Sequence, residues 1–150
     1  MTDLSLEELA LAYAHALDSN RPELLEQIFT PKAELTGPTR KYMGRAAIMA
    51  VPNMLASKYR CTTHLVGNRL ILSAGAGHAR GETYCLAHHL SSRPEGLWVD
   101  EIMAIRYRDE YEKTGDEWRF SSRRLQVDWL ETREALSPDP AEFSRPPIGS

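Results

Sequence analysis

Residues 60–72, RCTTHLVGNRLIL, switch the chain to a side-chain period of two. That period is typical of a β-strand, in which successive side chains point to opposite faces of a sheet. Residues 79–90, 97–112 and 117–130 show the same period, and short turns rich in Gly, Pro or Asp separate these segments. The second half of the chain therefore predicts four long strands in an antiparallel meander.

The first third of the chain has helical spacing instead. Ser5 and Glu8 form a capping-box pattern before a stripe of apolar residues that ends near Asp18. Asn20 and Pro22 predict the cap and the first turn of a second helix.

The next segments predict a short hairpin and a third helix. Residues 32–36 indicate a strand, and residues 40–43 indicate its hairpin partner. Residues 45–59 have helical spacing, and Pro52 should kink that helix because proline lacks a backbone donor and crowds the preceding turn. Residues 131–136 predict a short helical end.

A chain of 150 residues fits one domain. Helices followed by a strand meander favour an α+β fold with segregated layers over a parallel βαβ sheet. We expect this domain to span residues 1–136. Residues 137–150 hold four of the nine prolines and predict an extended tail, either free or laid over a pocket or a neighbouring subunit.

Composition and charge exclude several classes of function. The formal net charge is −3 and no basic stripe is present, which argues against a nucleic-acid partner. No apolar run approaches the roughly 20 residues of a membrane span, and the start of the chain lacks a signal-peptide pattern. Cys61 and Cys85 are too few for a disulfide framework, and no metal-binding pattern is present. We therefore expect a cytoplasmic protein with no metal, no membrane partner and no nucleic-acid partner.

Two ionisable residues stand out by position. Asp18 follows the apolar stripe of the first helix, and His64 shares a strand face with Thr62 and Val66. A carboxylate bonded to one ring nitrogen of a histidine leaves the other nitrogen free to take a proton near neutral pH. Spacing alone leaves the ordinary roles open, with Asp18 as a helix-end residue and His64 as a satisfied sheet histidine.

Arg123 shares a strand face with Leu125, Val127 and Trp129. That face is otherwise apolar, so an inward guanidinium must find an anion. The anion is either a protein carboxylate or a substrate oxygen or leaving group.

Two adjacent histidines, His88 and His89, point to opposite faces of their strand. His89 alternates with the small residues Thr83, Cys85 and Ala87, which is the pattern expected of the inward face. Either histidine could instead be exposed to solvent or lie at an interface.

Three strings resemble the SnoaL-like (NTF2-like) family: residues 16–18 (ALD), 62–68 (TTHLVGN) and 111–120 (YEKTGDEWRF). Their order is most similar to that of scytalone dehydratase, hexachlorocyclohexane dehydrochlorinase and bile-acid 7α-dehydratase, over about residues 5–131. The resemblance implies an α+β cone, with a curved mixed or antiparallel sheet wrapped around helices and one internal pocket. It also implies an Asp18–His64 dyad and an elimination that uses neither metal nor organic cofactor.

The same resemblance implies roles for further residues. Arg123 falls at a pocket arginine, His89 at a second pocket histidine that could protonate a leaving hydroxyl, and Tyr13 at a substrate-binding hydroxyl. Tyr13 also fits the apolar stripe of the first helix, so packing in the core is its alternative role. Leu17 and Leu35 occupy the positions of two tyrosines that polarise scytalone, so scytalone itself is not the expected substrate. The pocket is expected to be more apolar and to suit a hydrophobic ring compound.

The residues expected to bind substrate share inward-facing positions: Tyr13, Leu35, Leu55, Tyr59, Thr62, Cys85, Met103, Tyr107 and Val127. With Asp18, His64, Arg123 and His89 as catalytic residues, the expected function is a dehydratase-like lyase acting on a small cyclic substrate. An isomerase or cyclase, or a binding protein without catalysis, remains the alternative on the same scaffold. The family resemblance also implies a homo-oligomer, either a trimer or a dimer.

Overall fold

The computed structural model describes residues 4–136, so the tail predicted for residues 137–150 lies outside the described residues. Its first helix, α1, spans Leu9–Asp18 and buries seven of its ten residues. The Ser5 backbone N–H donates to the Glu8 carboxylate at 2.8 Å, as the capping-box pattern predicts. The helix nevertheless begins only at Leu9, with Glu8 at its N-cap position.

Asn20 ends α1 and does not cap the next helix, so that prediction was wrong. Its φ angle is 49°, in the left-handed region that asparagine tolerates. The Asn20 N–H donates to the Leu17 carbonyl at 3.2 Å and the Arg21 N–H donates to the Ala16 carbonyl at 2.9 Å. These two bonds form a Schellman motif, which stops the helix and fixes Asp18 in its last turn.

Three short helices follow. Helix α2 spans Pro22–Ile28, α3 spans Arg45–Ile48 and α4 spans Val51–Lys58. Two separate helices therefore replace the single kinked helix predicted for residues 45–59. Pro52 lies in the first turn of α4, where the missing N–H would have no helical partner in any case.

Six strands form one sheet in the order β2-β1-β6-β5-β4-β3. The strand bounds, with one short 3₁₀ turn at Pro94–Gly96, are β1 Phe29–Thr36, β2 Lys41–Met43, β3 Cys61–Ala74, β4 His78–Ser92, β5 Trp98–Thr114 and β6 Glu117–Ala135. Strands β3 to β6 form the predicted antiparallel meander, while β1 and β6 pair in parallel. The sheet is thus mixed, and the α+β cone is confirmed.

Strand β6 runs further than predicted. Residues 131–135 continue it, so the short helix predicted for residues 131–136 is wrong. These residues pair with the start of β5, from Glu131 opposite Ile102 to Ala135 opposite Trp98. That ladder satisfies the backbone groups that a helix would otherwise have paired internally.

Two bulges in β6 decide which side chains face the helices. Tyr111 pairs with Phe120 while Glu110 pairs with Ser122, so one extra residue lets Phe120 and Arg123 both point inward. A second bulge leaves Asp128 unpaired between Val127 and Trp129. Trp129 is therefore exposed on the other face of the sheet and does not share the face of Arg123, contrary to the prediction.

The core lies between α1, α2 and the inner face of the sheet. Tyr13 packs edge-on against Phe29, Tyr107 and Phe120, with ring centres 5.9 to 6.5 Å apart. The other face of the sheet exposes Leu65, Leu86 and Trp129 among other apolar side chains. The homo-oligomer stays a prediction. Within residues 4–136, no helix has the length and apolar content that a bilayer crossing requires.

Candidate active site

Asp18 and His64 meet, although 46 residues separate them. The His64 ring nitrogen Nδ1 lies 2.6 Å from Asp18 Oδ1. The His64 backbone N–H donates to Asp18 Oδ2 at 2.8 Å, and the Thr62 hydroxyl donates to Oδ1 at 2.8 Å. The carboxylate therefore accepts three hydrogen bonds from one strand, which fix its position and that of the ring.

Local structure explains this meeting. The Schellman motif after α1 leaves Asp18 at the end of the helix that lies over the sheet. Thr62 and His64 lie opposite His89 and Ala87 in the β3–β4 ladder, so both point to the inner face. The His64 side chain is 4% exposed and the Asp18 side chain is 25% exposed. The pair is shielded from bulk solvent mainly on the histidine side.

The protonation state of the pair follows from these bonds. Burial alone would raise the pKa of Asp18, but the hydrogen bonds and the charge of His64, with the Thr62 bond, together hold that pKa below its ordinary value. Asp18 is therefore ionised at neutral pH and can only accept hydrogen bonds. The His64 proton must then lie on Nδ1, which leaves Nε2 unprotonated in the neutral ring.

His64 lines a cavity of about 570 Å³ between the helices and the sheet. Five of the residues expected to bind substrate line it too: Tyr13, Leu35, Leu55, Met103 and Tyr107. Other residues that line the cavity were not expected from the sequence, among them Tyr42, Val51 and Met54. Ile105 and Leu125 also line the cavity, as strand alternation predicts for residues that share faces with Met103 and Arg123. Only the packing of the helices reveals Val51 and Met54.

Four expected substrate-binding residues lie elsewhere. Tyr59 and Thr62 border a separate cavity of about 80 Å³ that touches Asp18. Cys85 is buried in the core opposite Ile105, whose longer side chain reaches the large cavity in its place. Val127 lies next to the Asp128 bulge, where the strand changes course, and Leu125 takes its expected place in the wall.

His89 lines the cavity, whereas His88 lies on the other face of the sheet. The His89 ring meets that of His64 edge-on with centres 5.8 Å apart, and its Nδ1 lies 3.1 Å from the Glu101 carbonyl oxygen. Since a carbonyl can only accept, the proton of neutral His89 is on Nδ1. Burial, helped by the nearby His64, lowers the pKa of His89. In its neutral form His89 offers the cavity an acceptor at Nε2, whereas protonating a leaving group would need the charged form.

Arg123 finds its anion inside the protein. Its Nε donates to Asp109 Oδ1 at 2.9 Å and its Nη2 donates to Oδ2 at 3.3 Å. The guanidinium carbon lies 3.8 Å from the centre of the Tyr107 ring and 4.4 Å from that of Tyr13. Arg123 is not among the described residues that line the large cavity, whose wall includes both tyrosines. The structure therefore favours the protein-carboxylate alternative over contact with substrate.

Asp109 was missed by sequence reasoning. It is fully buried and also accepts hydrogen bonds from Thr83 Oγ1 at 3.1 Å and from the Tyr111 hydroxyl at 3.3 Å. The sequence could have indicated Asp109, because it alternates with Tyr107 and Tyr111 on one strand face. A carboxylate on such an apolar face requires a buried cation as its partner.

Comparisons with known proteins agree with this fold. A family model described as a SnoaL-like domain matches residues 3–124. A hexachlorocyclohexane dehydrochlorinase of type 2 has a similar structure, with a TM-score of 0.76 and 21% identity over 92% of this chain and 93% of that one. A type 3 dehydrochlorinase from Novosphingobium barchaimii gives a TM-score of 0.71 and 21% identity over 85% and 87%.

A Novosphingobium aromaticivorans protein that is provisionally described as a scytalone dehydratase gives a TM-score of 0.72 and 24% identity. That alignment covers 93% of each chain. No curated protein matches the chain. At these identities the similar structures show a shared fold, while the family model spans most of the sequence. The chain belongs to the SnoaL-like domain family.

Proposed function

We propose that this protein is a lyase that removes water, or another small leaving group, from a hydrophobic cyclic substrate without a cofactor. One observation carries the proposal: His64 is held by an ionised Asp18 at 2.6 Å and its ring lines a cavity of about 570 Å³. A histidine oriented in this way is suited to act as a general base near neutral pH.

The reaction is an elimination from two neighbouring carbons. His64 Nε2 takes a proton from the carbon next to an activating carbonyl, the electron pair of that C–H bond forms the new C=C bond, and the C–O bond to the leaving hydroxyl breaks. The imidazolium then returns its proton to the hydroxide, so that water leaves and the base is regenerated. Asp18 keeps the ring in the required tautomer and stabilises its charged form.

Hydroxyl groups in the cavity wall can assist the developing charge. Burial raises the pKa of Tyr13 to about 12 despite the nearby Arg123 charge, and burial raises the pKa of Tyr107. Both phenols therefore stay protonated and can donate a hydrogen bond to a substrate oxygen. Arg123 packs against both rings and keeps them in place, and His89 accepts a hydrogen bond from the substrate.

The similar structures support the elimination class. Two of the similar structures are named hexachlorocyclohexane dehydrochlorinases, and a third is provisionally described as a scytalone dehydratase. Both names describe loss of a small group from a ring compound, which is the chemistry that a single oriented base in an apolar cavity can support.

An isomerase is the second candidate. Among the described residues that line the cavity none is Asp or Glu, and neutral His89 offers no proton to the cavity. The proton captured by His64 can be delivered either to a leaving group or back to another carbon. Product mass separates the two reactions, because elimination loses the mass of the leaving group and isomerisation loses none.

The test uses a panel of cyclic β-hydroxyketones, which carry an acidic C–H next to a leaving hydroxyl and form ultraviolet-absorbing enones. His64→Ala should lower kcat by about 10²- to 10⁴-fold, the usual contribution of a general base, while folding and ligand affinity stay close to wild type. His88→Ala is the matched control, because His88 forms its own pair with Asp100 at 2.7 Å on the other face of the sheet.

Equal turnover by the wild type and His64→Ala would rule out His64 as the base. Tight ligand binding without turnover by the wild-type protein would instead indicate a binding protein. Product of unchanged mass would identify the isomerase.

A further inference from the structure

The opening of the large cavity carries two positive side chains. Arg40 and Lys58 line the cavity, and both are exposed, which places them where it meets solvent. No Asp or Glu is among the residues of the described range that line this cavity. The whole chain, by contrast, has 21 acidic residues against 18 Lys and Arg. The opening is therefore locally positive in a protein whose formal net charge is −3.

Two different elements supply these charges. Arg40 closes the turn between β1 and β2, where its carbonyl accepts a hydrogen bond from the Gly37 N–H at 2.7 Å. Lys58 is the last residue of α4, and its Nζ lies 5.1 Å from the centre of the Tyr59 ring. The Tyr59 ring packs against His89 with centres 4.9 Å apart. Lys58 is thereby placed one ring away from the histidine that lines the cavity.

Arg40 and Lys58 have no carboxylate partner among the side chains that the structure describes. Within residues 4–136, neither Arg40 nor Lys58 forms an ion pair, whereas the neighbouring Lys41 pairs with Glu34 at 3.1 Å. A cation already paired would have to lose that partner before it could bind a ligand. As far as the described side chains go, Arg40 and Lys58 can therefore bind an anion that arrives with the substrate without first losing a carboxylate partner.

We propose that the cavity selects an anionic amphiphile as substrate, with a hydrophobic ring in the interior and a carboxylate or similar anion held between Arg40 and Lys58. This inference rests on the proposed function for the reacting end and adds the class of substrate. The anion is a binding group that lies away from the reacting carbons, since a negative charge beside them would oppose removal of a proton by His64. Binding of a remote group can hold the reacting carbons against the base.

The two positive charges at the opening should discriminate between anionic and neutral ligands more than they increase affinity. An exposed ion pair changes affinity by about two- to fivefold, and salt weakens it. The apolar interior supplies most of the affinity for ring compounds with or without the anion. The expected result is therefore a difference in affinity between two ligands that share one ring framework and differ in charge.

The probes are N-phenyl-1-naphthylamine, which is neutral, and 8-anilinonaphthalene-1-sulfonate, which adds one sulfonate to the same framework. Both fluoresce more strongly in apolar sites. Arg40→Gln and Lys58→Gln should each weaken sulfonate binding by about threefold, and the double variant by about tenfold, with the neutral probe unchanged. Lys32→Gln, an exposed cation outside the cavity lining, is the matched control.

Raising the NaCl concentration from about 0.05 M to about 0.5 M should weaken only the sulfonate probe, and only in proteins that retain the two cations. Unchanged sulfonate affinity in the double variant would overturn the inference. An equal loss for both probes would also overturn it, because the two side chains would then act by shaping the cavity.

The result separates this inference from the proposed function. The His64→Ala protein should keep the preference for the sulfonate probe, because Arg40 and Lys58 are intact. A full charge preference together with unchanged turnover in His64→Ala would defeat the proposed function alone. Loss of turnover in His64→Ala without any charge preference would defeat this inference alone.

Discussion

Two carboxylates of this fold each bind one basic side chain, and the surroundings of the two pairs indicate different roles. Asp18 binds His64 at the wall of a cavity, with its own side chain 25% exposed. Asp109 binds Arg123 beneath that wall, where the two side chains are 0% and 1% exposed. The first pair leaves a ring nitrogen free for chemistry, whereas the second is enclosed by aromatic rings.

The comparison favours a structural role for the second pair in the proposed reaction. Arg123 contacts the rings of Tyr13, Tyr107 and Phe120 within 4.6 Å. Two of these rings line the cavity, whereas Arg123 is not among the described residues that line it. We expect the Asp109–Arg123 pair to determine stability and the Asp18–His64 pair to determine turnover.

The largest expected effect is on stability. Asp109→Ala leaves a buried guanidinium without its carboxylate, and breaking such a pair lowers the free energy of unfolding by about 3–5 kcal/mol. Chemical denaturation of the variant measures this loss. Glu117→Ala is the matched control, because Glu117 and Arg119 also pair at 2.9 Å but with side chains 49% and 22% exposed.

That exposed control pair should contribute less than about 1 kcal/mol. Replacing both buried partners, as in Asp109→Leu with Arg123→Met, should recover much of the lost stability because no unpaired charge remains. Similar losses for Asp109→Ala and Glu117→Ala would contradict the distinction drawn between enclosed and exposed pairs.

The second effect is on turnover. Asp18→Asn keeps the shape of the side chain but presents an amide that can donate to His64 Nδ1, which favours the tautomer with its proton on Nε2. The base is then blocked, and kcat should fall by about a hundredfold or more, within the range of general base catalysis. Steady-state kinetics on a hydroxyketone substrate measures the change.

Asp100→Asn, at the His88 pair on the other sheet face, is the matched control and should leave kcat near wild type. A similar fall in kcat for both variants would show that the loss comes from the sheet as a whole. Asp18→Asn should stay folded under the assay conditions, which a cooperative denaturation curve checks.

The third effect is smaller and concerns the support of Asp18. Thr62→Val removes one of the three hydrogen bonds that the carboxylate accepts. Such a bond contributes about 0.5–1.5 kcal/mol net to the free energy of unfolding. A looser carboxylate should lower kcat by about three- to tenfold, and Thr62→Ser should restore it. Thr63→Val, on the exposed face of the same strand, should change neither kcat nor stability.

The sequence predicted the sheet better than it predicted the site. Period two over residues 60–130 is a local signal, and all four long strands were confirmed. The contact between Asp18 and His64 depends on the left-handed conformation of Asn20. The sequence around Asn20 fits a helix N-cap equally well, which is why the prediction was wrong there. The partner of Arg123 depends on a bulge in β6, and alternation of side chains does not reveal where an extra residue will be inserted.

The smallest expected effect is on the pH dependence of stability. The pKa of Asp18 is lowered in the folded protein, so its contribution to stability is present above the ordinary Asp pKa of about 3.9. That contribution is lost as the pH falls through the folded value. The difference in unfolding free energy between the wild type and Asp18→Asn should therefore be constant near neutral pH and shrink below about pH 4. Denaturation curves over this range test it, and a difference that grows as the pH falls would show that Asp18 is held in its protonated form.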